Sequence, residues 1–104
     1  MSEALEITTF QLTPGVSMRD FIEANSAVDD WLKRQPGFIW RRICERDDGS
    51  IVDVLLWASA DDGRRAGVGV VTELAGSPVH AAINQATVDW SVATCHHSLG
   101  TLGE

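Results

Sequence analysis

Cysteine is scarce in this sequence: only Cys44 and Cys95 occur in 104 residues. They are too few and too far apart for a C-x-x-C motif or a disulfide-stapled secreted scaffold, and they read as reduced, buried, small hydrophobes. Basic residues are scarce too, 8 Lys and Arg against 15 Asp and Glu, for a formal net charge of −7. A nucleic-acid binder needs clustered cations to displace counterions from phosphate, and an anionic membrane surface asks for the same, so neither partner is expected. No apolar run approaches the ~18 residues of a membrane span. The segment Ser2-Glu3-Ala4-Leu5-Glu6 carries acid where a signal peptide carries base, and the expectation is a cytoplasmic protein. With 3 Pro, 9 Gly, 44% hydrophobic and 22% charged residues, the composition lies away from disordered and fibrous chains. One domain over residues 1–104 is expected, burying roughly 60–70% of the surface of its unfolded chain.

What the sequence has in excess is tryptophan, four residues alongside no tyrosine. Each indole buries about 150–250 Å² when covered, and a domain of this size has few interior places for four. Some are expected to line a pocket or a subunit interface.

Caps and turns divide the chain. Leu5 to Leu12 is rich in β-branched residues and ends at Thr13-Pro14-Gly15, a strand followed by a turn. Ser17 with Asp20 three positions on opens a helix, and Met18, Phe21, Ile22, Val28, Trp31 and Leu32 recur at helical spacing until Pro36-Gly37. Phe38 to Arg46 and Ile51 to Ser59 read as strands of an antiparallel hairpin joined at Asp47-Asp48-Gly49-Ser50. Ser59-Ala60-Asp61-Asp62 opens a second helix as far as about Ala75, which Gly63, Gly67 and Gly69 each weaken by up to ~1 kcal/mol relative to Ala. Ser77-Pro78 opens a short helix through Asn84, and Ala86 to Ser98 forms a last strand. The order β-α-β-β-α-β is the ferredoxin-like α+β arrangement, a four-stranded antiparallel sheet with its helices on one face.

A two-residue turn at Asp48-Gly49 sets Arg42 opposite Leu55, Cys44 opposite Asp53 and Trp40 opposite Trp57. One face then carries Ile39, Ile43, Val52, Val54 and Leu56 and packs under the helices. The other carries Phe38, Trp40, Arg42, Cys44, Asp53, Leu55 and Trp57. A three-residue turn with a glycine bulge shifts one strand by a residue and reverses its facing. The aromatic, partly ionic face is too large an apolar patch to leave in water, and a second copy of the sheet across a two-fold axis covers it.

The stretch Asn25, Val28, Trp31-Leu32, Gln35-Pro36-Gly37-Phe38, Arg41, Asp48-Gly49, Val52-Asp53-Val54, Trp57 and Ala60 resembles the antibiotic biosynthesis monooxygenase-like family of the dimeric α+β barrel superfamily. The resemblance covers nearly the whole chain and is strongest over residues 21–62. It implies a homodimer with facing sheets, and it includes cofactor-independent oxygenases of aromatic polyketides, haem-degrading oxygenases and proteins with no assigned reaction. The haem-degrading branch uses an Asn on the first strand, a Trp late in the second helix and a His on the short helix. The matching positions here are Thr8 or Thr9, Leu74 and Ile83, with His80 one helical turn away, so haem degradation is disfavoured.

Each candidate residue has a chemical and a structural role to weigh. Trp40, Trp57 and Trp90 offer walls for stacking an aromatic ligand, or are core and interface residues, and Trp31 is structural. Arg42 and Asp53 form an enclosed ion pair, with Arg42 stabilising negative charge on an oxygen and Asp53 accepting a proton, or are solvated near the sheet edge, or pair across the dimer. His96 and His97 point to opposite faces of a strand, so one, taken as His96, can act as a base at the barrel mouth, or both are exposed. They cannot chelate a metal from one face, and no metal or cofactor is expected. Asn25, polar within an apolar helical stripe, bonds to a strand backbone or reaches a ligand. The expected function is a cofactor-independent monooxygenase-like protein holding an apolar or aromatic small molecule in a dimeric barrel cavity. The alternative is a non-catalytic binding or structural dimer on the same fold, and an isomerase or cyclase ranks below both.

Overall fold

Capping and hydrogen-bond geometry set the boundaries of each element. The computed structural model describes residues 2–100. Strand β1 (Ala4–Leu12) leads to helix α1 (Met18–Ala24), whose Ser17 cap accepts a 3.1 Å hydrogen bond from the Asp20 amide. Helix α2 (Ser26–Lys33) follows at once. The hairpin of β2 (Phe38–Glu45) and β3 (Ile51–Trp57) precedes α3 (Ala60–Thr72), capped by Ser59, which accepts from the Asp62 amide at 3.2 Å. A short α4 (Val79–Ala82) leads to β4 (Ile83–Thr94). The four strands form one antiparallel sheet in the order β2-β3-β1-β4, with the helices on one face, as the sequence predicts. Among the described residues no helix is long and apolar enough to cross a membrane.

The single helix expected from Met18 to Pro36 is two. At Asn25 the side-chain Nδ2 donates to the Phe21 carbonyl at 2.9 Å while the backbone amide turns to the Ile22 carbonyl at 3.1 Å. The side chain has taken the carbonyl that the helical ladder would have used, and the chain tightens for one residue. The second long helix ends at Thr72 instead of about Ala75, the short one at Ala82 instead of Asn84, and the last strand spans residues 83–94 instead of 86–98.

The hairpin register is the main departure from expectation. Arg46 and Ser50 close a three-residue loop, with the Arg46 amide donating to the Ser50 carbonyl and Gly49 donating to the Arg46 carbonyl, both at 2.9 Å. Gly49 takes φ +86°, which L side chains rarely adopt. Arg41 therefore faces Leu55, Ile43 faces Asp53 and Trp40 faces Leu56. A second irregularity at Ile39 restores Phe38 to a position opposite Trp57, where the two rings meet edge to face at 5.6 Å. The face assignment of β3 is consequently reversed. Ile51, Asp53, Leu55 and Trp57 lie buried under the helices, and Val52, Val54 and Leu56 lie on the open face with Trp40, Arg42 and Cys44. The Trp40–Trp57 pair does not form. Cys44 is exposed and Cys95 half-buried, so neither is the buried hydrophobe expected.

Helix α3 owes its three glycines to tryptophan. A Cβ at Gly63 would meet the Trp57 ring at 3.1 Å, one at Gly67 would meet Trp90 at 3.0 Å, and one at Gly69 would meet Trp31 at 2.6 Å. Each glycine costs helix stability and lets an indole lie against the helix backbone. The core of Phe10, Phe21, Val28, Trp31, Leu55 and Trp57 is built on these contacts.

Gly69→Ala is expected to destabilise the fold by about 1–3 kcal/mol, because overpacking against a rigid ring outweighs the ~1 kcal/mol gained in helix propensity. Gly76→Ala, with open space around the new methyl, is the control and is expected within about 0.5 kcal/mol of wild type. Urea denaturation of both variants checks this; equal midpoints would remove the packing explanation.

Candidate functional site

Alternation along β1 sends Ala4, Glu6, Thr8 and Phe10 to the helix side of the sheet, so a glutamate enters the core on a central strand. Glu6 lies opposite Leu55 on β3 and Val92 on β4. Trp57 and Trp90 stand two residues from those partners on the same face and reach it diagonally from either side. The indole of Trp57 donates to Glu6 Oε1 at 2.9 Å and that of Trp90 to Oε2 at 2.8 Å. The residue is 7% exposed. Burial raises the Glu6 carboxyl above its ordinary value, the two indole hydrogen bonds opposing this in part and the nearby Asp53 charge adding to it.

Beside it lies a buried cation. Arg41 on β2 donates from Nε to Asp53 Oδ1 at 3.0 Å and from Nη2 to Asp53 Oδ2 at 2.7 Å, a bidentate pair with both side chains 11% exposed. Its Nη1 donates to Asp29 Oδ1 and its Nη2 also to Asn25 Oδ1, both at 2.8 Å. The break between α1 and α2 thus aims Asn25 at the strand guanidinium. Burial opposes the Arg41 charge, but the pairing with Asp53 and then Asp29 more than offsets it and holds the group protonated.

A cavity of about 380 Å³ opens between the sheet and the helices of the one chain. Glu6, Asn25, Arg41 and Asp53 contribute polar groups to a lining that is otherwise mostly aliphatic and aromatic. Trp90, 45% exposed, and the exposed Val68 and Val71 belong to the same lining and mark its mouth. The cavity lies within the single chain, between its own sheet and helices, whereas the sequence reading expects one between two facing sheets. Among the described residues, no three His, Cys, Asp or Glu side chains converge as a metal set.

The structure divides the expected site residues. Asn25, Asp53 and Trp90 line the cavity, and Trp57 is fully buried beneath Glu6. Arg42 does not pair with Asp53; one residue of register turns it to the open face, where it is exposed and lies over the Trp40 ring at 5.2 Å. Trp40 is on that face and not in the cavity. His96, beyond the end of β4, is exposed. Glu6, Arg41 and Asp29 were not among the expected site residues. The signal for Glu6 was present as a lone charge on the Ala4-Thr8-Phe10 parity of a strand, where a buried carboxyl needs partners.

Two measurements follow from these groups. The fold binds the Glu6 proton more tightly than the unfolded chain does, so the contribution of Glu6 to stability is complete below its ordinary value of 4.5 and is lost as pH rises through the folded value. Wild-type stability is expected to fall relative to Glu6→Gln as pH is raised above 4.5, and parallel urea curves across pH would deny the shift. Asp53→Ala leaves Arg41 without its buried partner and is expected to cost about 3–5 kcal/mol, against about 1 kcal/mol or less for Asp29→Ala, whose carboxylate is half-exposed. Equal losses in thermal or urea melts would contradict the ranking.

Neither a family model nor a curated protein matches the sequence. Solved structures do match the fold. SnoaB, a cofactor-independent oxygenase from Streptomyces nogalater, superposes with a TM-score of 0.73 at 19% identity over 97% of this chain and 100% of its own. The monooxygenase ActVA-Orf6 of Streptomyces coelicolor, solved with the ligand nanaomycin D, gives 0.67 at 17% identity over 96% and 93% of the two chains. The haem degrader MhuD from Mycobacterium tuberculosis, with two haems bound in its active site, gives 0.72 at 13% identity over 93% and 99%. The chain therefore has the ferredoxin-like α+β fold of the antibiotic biosynthesis monooxygenase proteins.

Proposed function

We propose that the protein binds an apolar, aromatic small molecule in the cavity between its sheet and helices and oxidises it in the manner of a cofactor-independent monooxygenase. The observation that carries this reading is the Glu6 carboxyl, buried at the cavity wall with each oxygen held by an indole N–H. A carboxyl whose pKa is raised by burial is a stronger base than an ordinary carboxylate, which favours its taking a phenolic proton. The ionised ring supplies the electrons itself: O₂ adds at a ring carbon that bears hydrogen, and the resulting hydroperoxide loses water to leave a quinone carbonyl, so one oxygen atom enters the substrate and the other leaves as water, while the apolar lining keeps solvent from the reacting anion. Arg41, with Asp53, Asp29 and Asn25, holds the polar wall in place. It takes the place beside Asp53 expected of Arg42, as a positioning group only, and Glu6 replaces His96 and Asp53 as the base.

The open face of the sheet supports a homodimer. Leu5, Ile7, Trp40, Val52, Val54 and Leu56 form an apolar surface that no helix of the chain covers, and a second sheet packed on it in the cytosol buries it. Sedimentation is expected at twice the 11.3 kDa of one chain, and Val54→Asp is expected to give monomers. A wild-type monomer would sink the dimer.

A second reading is a non-catalytic binder, and the commitment of every Arg41 nitrogen to protein partners favours it, since no free cation is left to stabilise an anion. Oxygen-electrode assays with polycyclic phenols separate the two. Uptake reduced by about 100-fold or more in Glu6→Gln is expected for the enzyme. Phenols that bind without consuming oxygen would establish the binder.

A further inference from the structure

The open face of the sheet differs between its two edges. On β2 it presents Trp40, Arg42 and Cys44, and on β4, level with them across the sheet, Ala93, Ser91 and Asp89. The two central strands present only neutral side chains between these edges. One edge is therefore bulky and cationic, the other small and anionic. Arg42 and Asp89 are both exposed, and among the described residues neither has an ion-pair partner within the chain.

Two sheets packed face to face about a two-fold axis have two limiting arrangements. An axis across the strands lays β2 on the partner's β2. Arg42 then approaches its own copy, Asp89 does the same, and tryptophan crowds one edge while alanine and serine leave a gap at the other. An axis along the strands lays β2 on the partner's β4. Arg42 then stands one row, about 7 Å along the strand, from the partner's Asp89, an offset that the long arginine side chain spans. Trp40 stands over the partner's Ala93, large against small as close packing requires. The two-fold axis repeats each contact. Like charges brought together at an interface are costly, and opposite charges fix orientation more than they add affinity.

We propose that this asymmetry orients the homodimer: β2 of one protomer lies over β4 of the other, with Arg42 paired to the partner's Asp89 on both sides of the axis and Trp40 seated on the partner's Ala93. This rests on the proposed homodimer and adds which strands meet and which side chains choose that orientation. It gives a role to Trp40 and Arg42, which the hairpin register turns away from the cavity.

Sedimentation equilibrium over a dilution series gives the dimer dissociation constant of each variant. Arg42→Asp and Asp89→Arg are each expected to weaken the dimer at least about tenfold, and the double exchange, which restores opposite charges at both contacts, to return to within about threefold of wild type. Asp89→Arg brings an acidic chain nearer neutrality, so overall repulsion between protomers would tighten that dimer, and the expected weakening runs against it. If a reversed charge prevents folding, the neutral Arg42→Gln and Asp89→Asn carry the same test: in the proposed orientation the double variant is no weaker than the weaker single one. Reversals that leave the dissociation constant unchanged, or a double variant that stays weak or adds the two losses, overturn the orientation and leave the dimer standing. A wild-type chain that sediments as a monomer overturns both.

Discussion

Three indole rings lie directly against the backbone of α3, and the rest of the structure depends on that contact. Trp57, Trp90 and Trp31 occupy the space that side chains at Gly63, Gly67 and Gly69 would fill. Two of these rings belong to neighbours of the central strand β1, and their N–H groups converge on the one carboxylate that β1 sends inward. Close packing of helix on ring thus does two jobs: it completes a small core with large side chains, and it fixes the donors that make a buried Glu6 tolerable. The surplus of tryptophan and the run of helix-weakening glycines are one design feature seen from two elements.

Electrostatics inside the cavity follow from how few charges are admitted and how they are matched. Arg41 is closed off by a bidentate carboxylate on one side and by groups of the α1–α2 junction on the other, which ties the hairpin to the helical layer. Glu6 has no cationic hydrogen-bond partner; it receives neutral donors only, and burial outweighs them. One ion pair is therefore closed on itself, and one carboxyl is left with neutral donors and a raised pKa. That division, set by which groups face one another across the sheet, separates scaffold from candidate chemistry.

Much of the fold was legible in the sequence. The Ser17 and Ser59 caps, the Pro36-Gly37 stop and the Asp48-Gly49 hairpin all act locally, and each operates where its residues predict. The candidate site was legible only in part. Asn25, Asp53 and Trp90 were found because polar or aromatic residues in apolar settings are conspicuous. The sequence points to Arg42 and not Arg41 because a two-residue turn and a three-residue turn read alike around Asp-Gly, and the difference of one residue exchanges the faces of a strand.

By itself the sequence determined the order of elements, the antiparallel hairpin and the need to house four indoles, because caps, turns and side-chain periodicity are properties of neighbouring residues. Which arginine is buried, which sheet face is covered and where the cavity opens were decided by tertiary structure. The bulge at Ile39 and the Gly49 loop set the register, and the register determines which side chains meet groups from distant strands and helices. Glu6 became a site only when β3 and β4 each placed a tryptophan beside it, a convergence of residues 51 and 84 positions away that no local pattern contains.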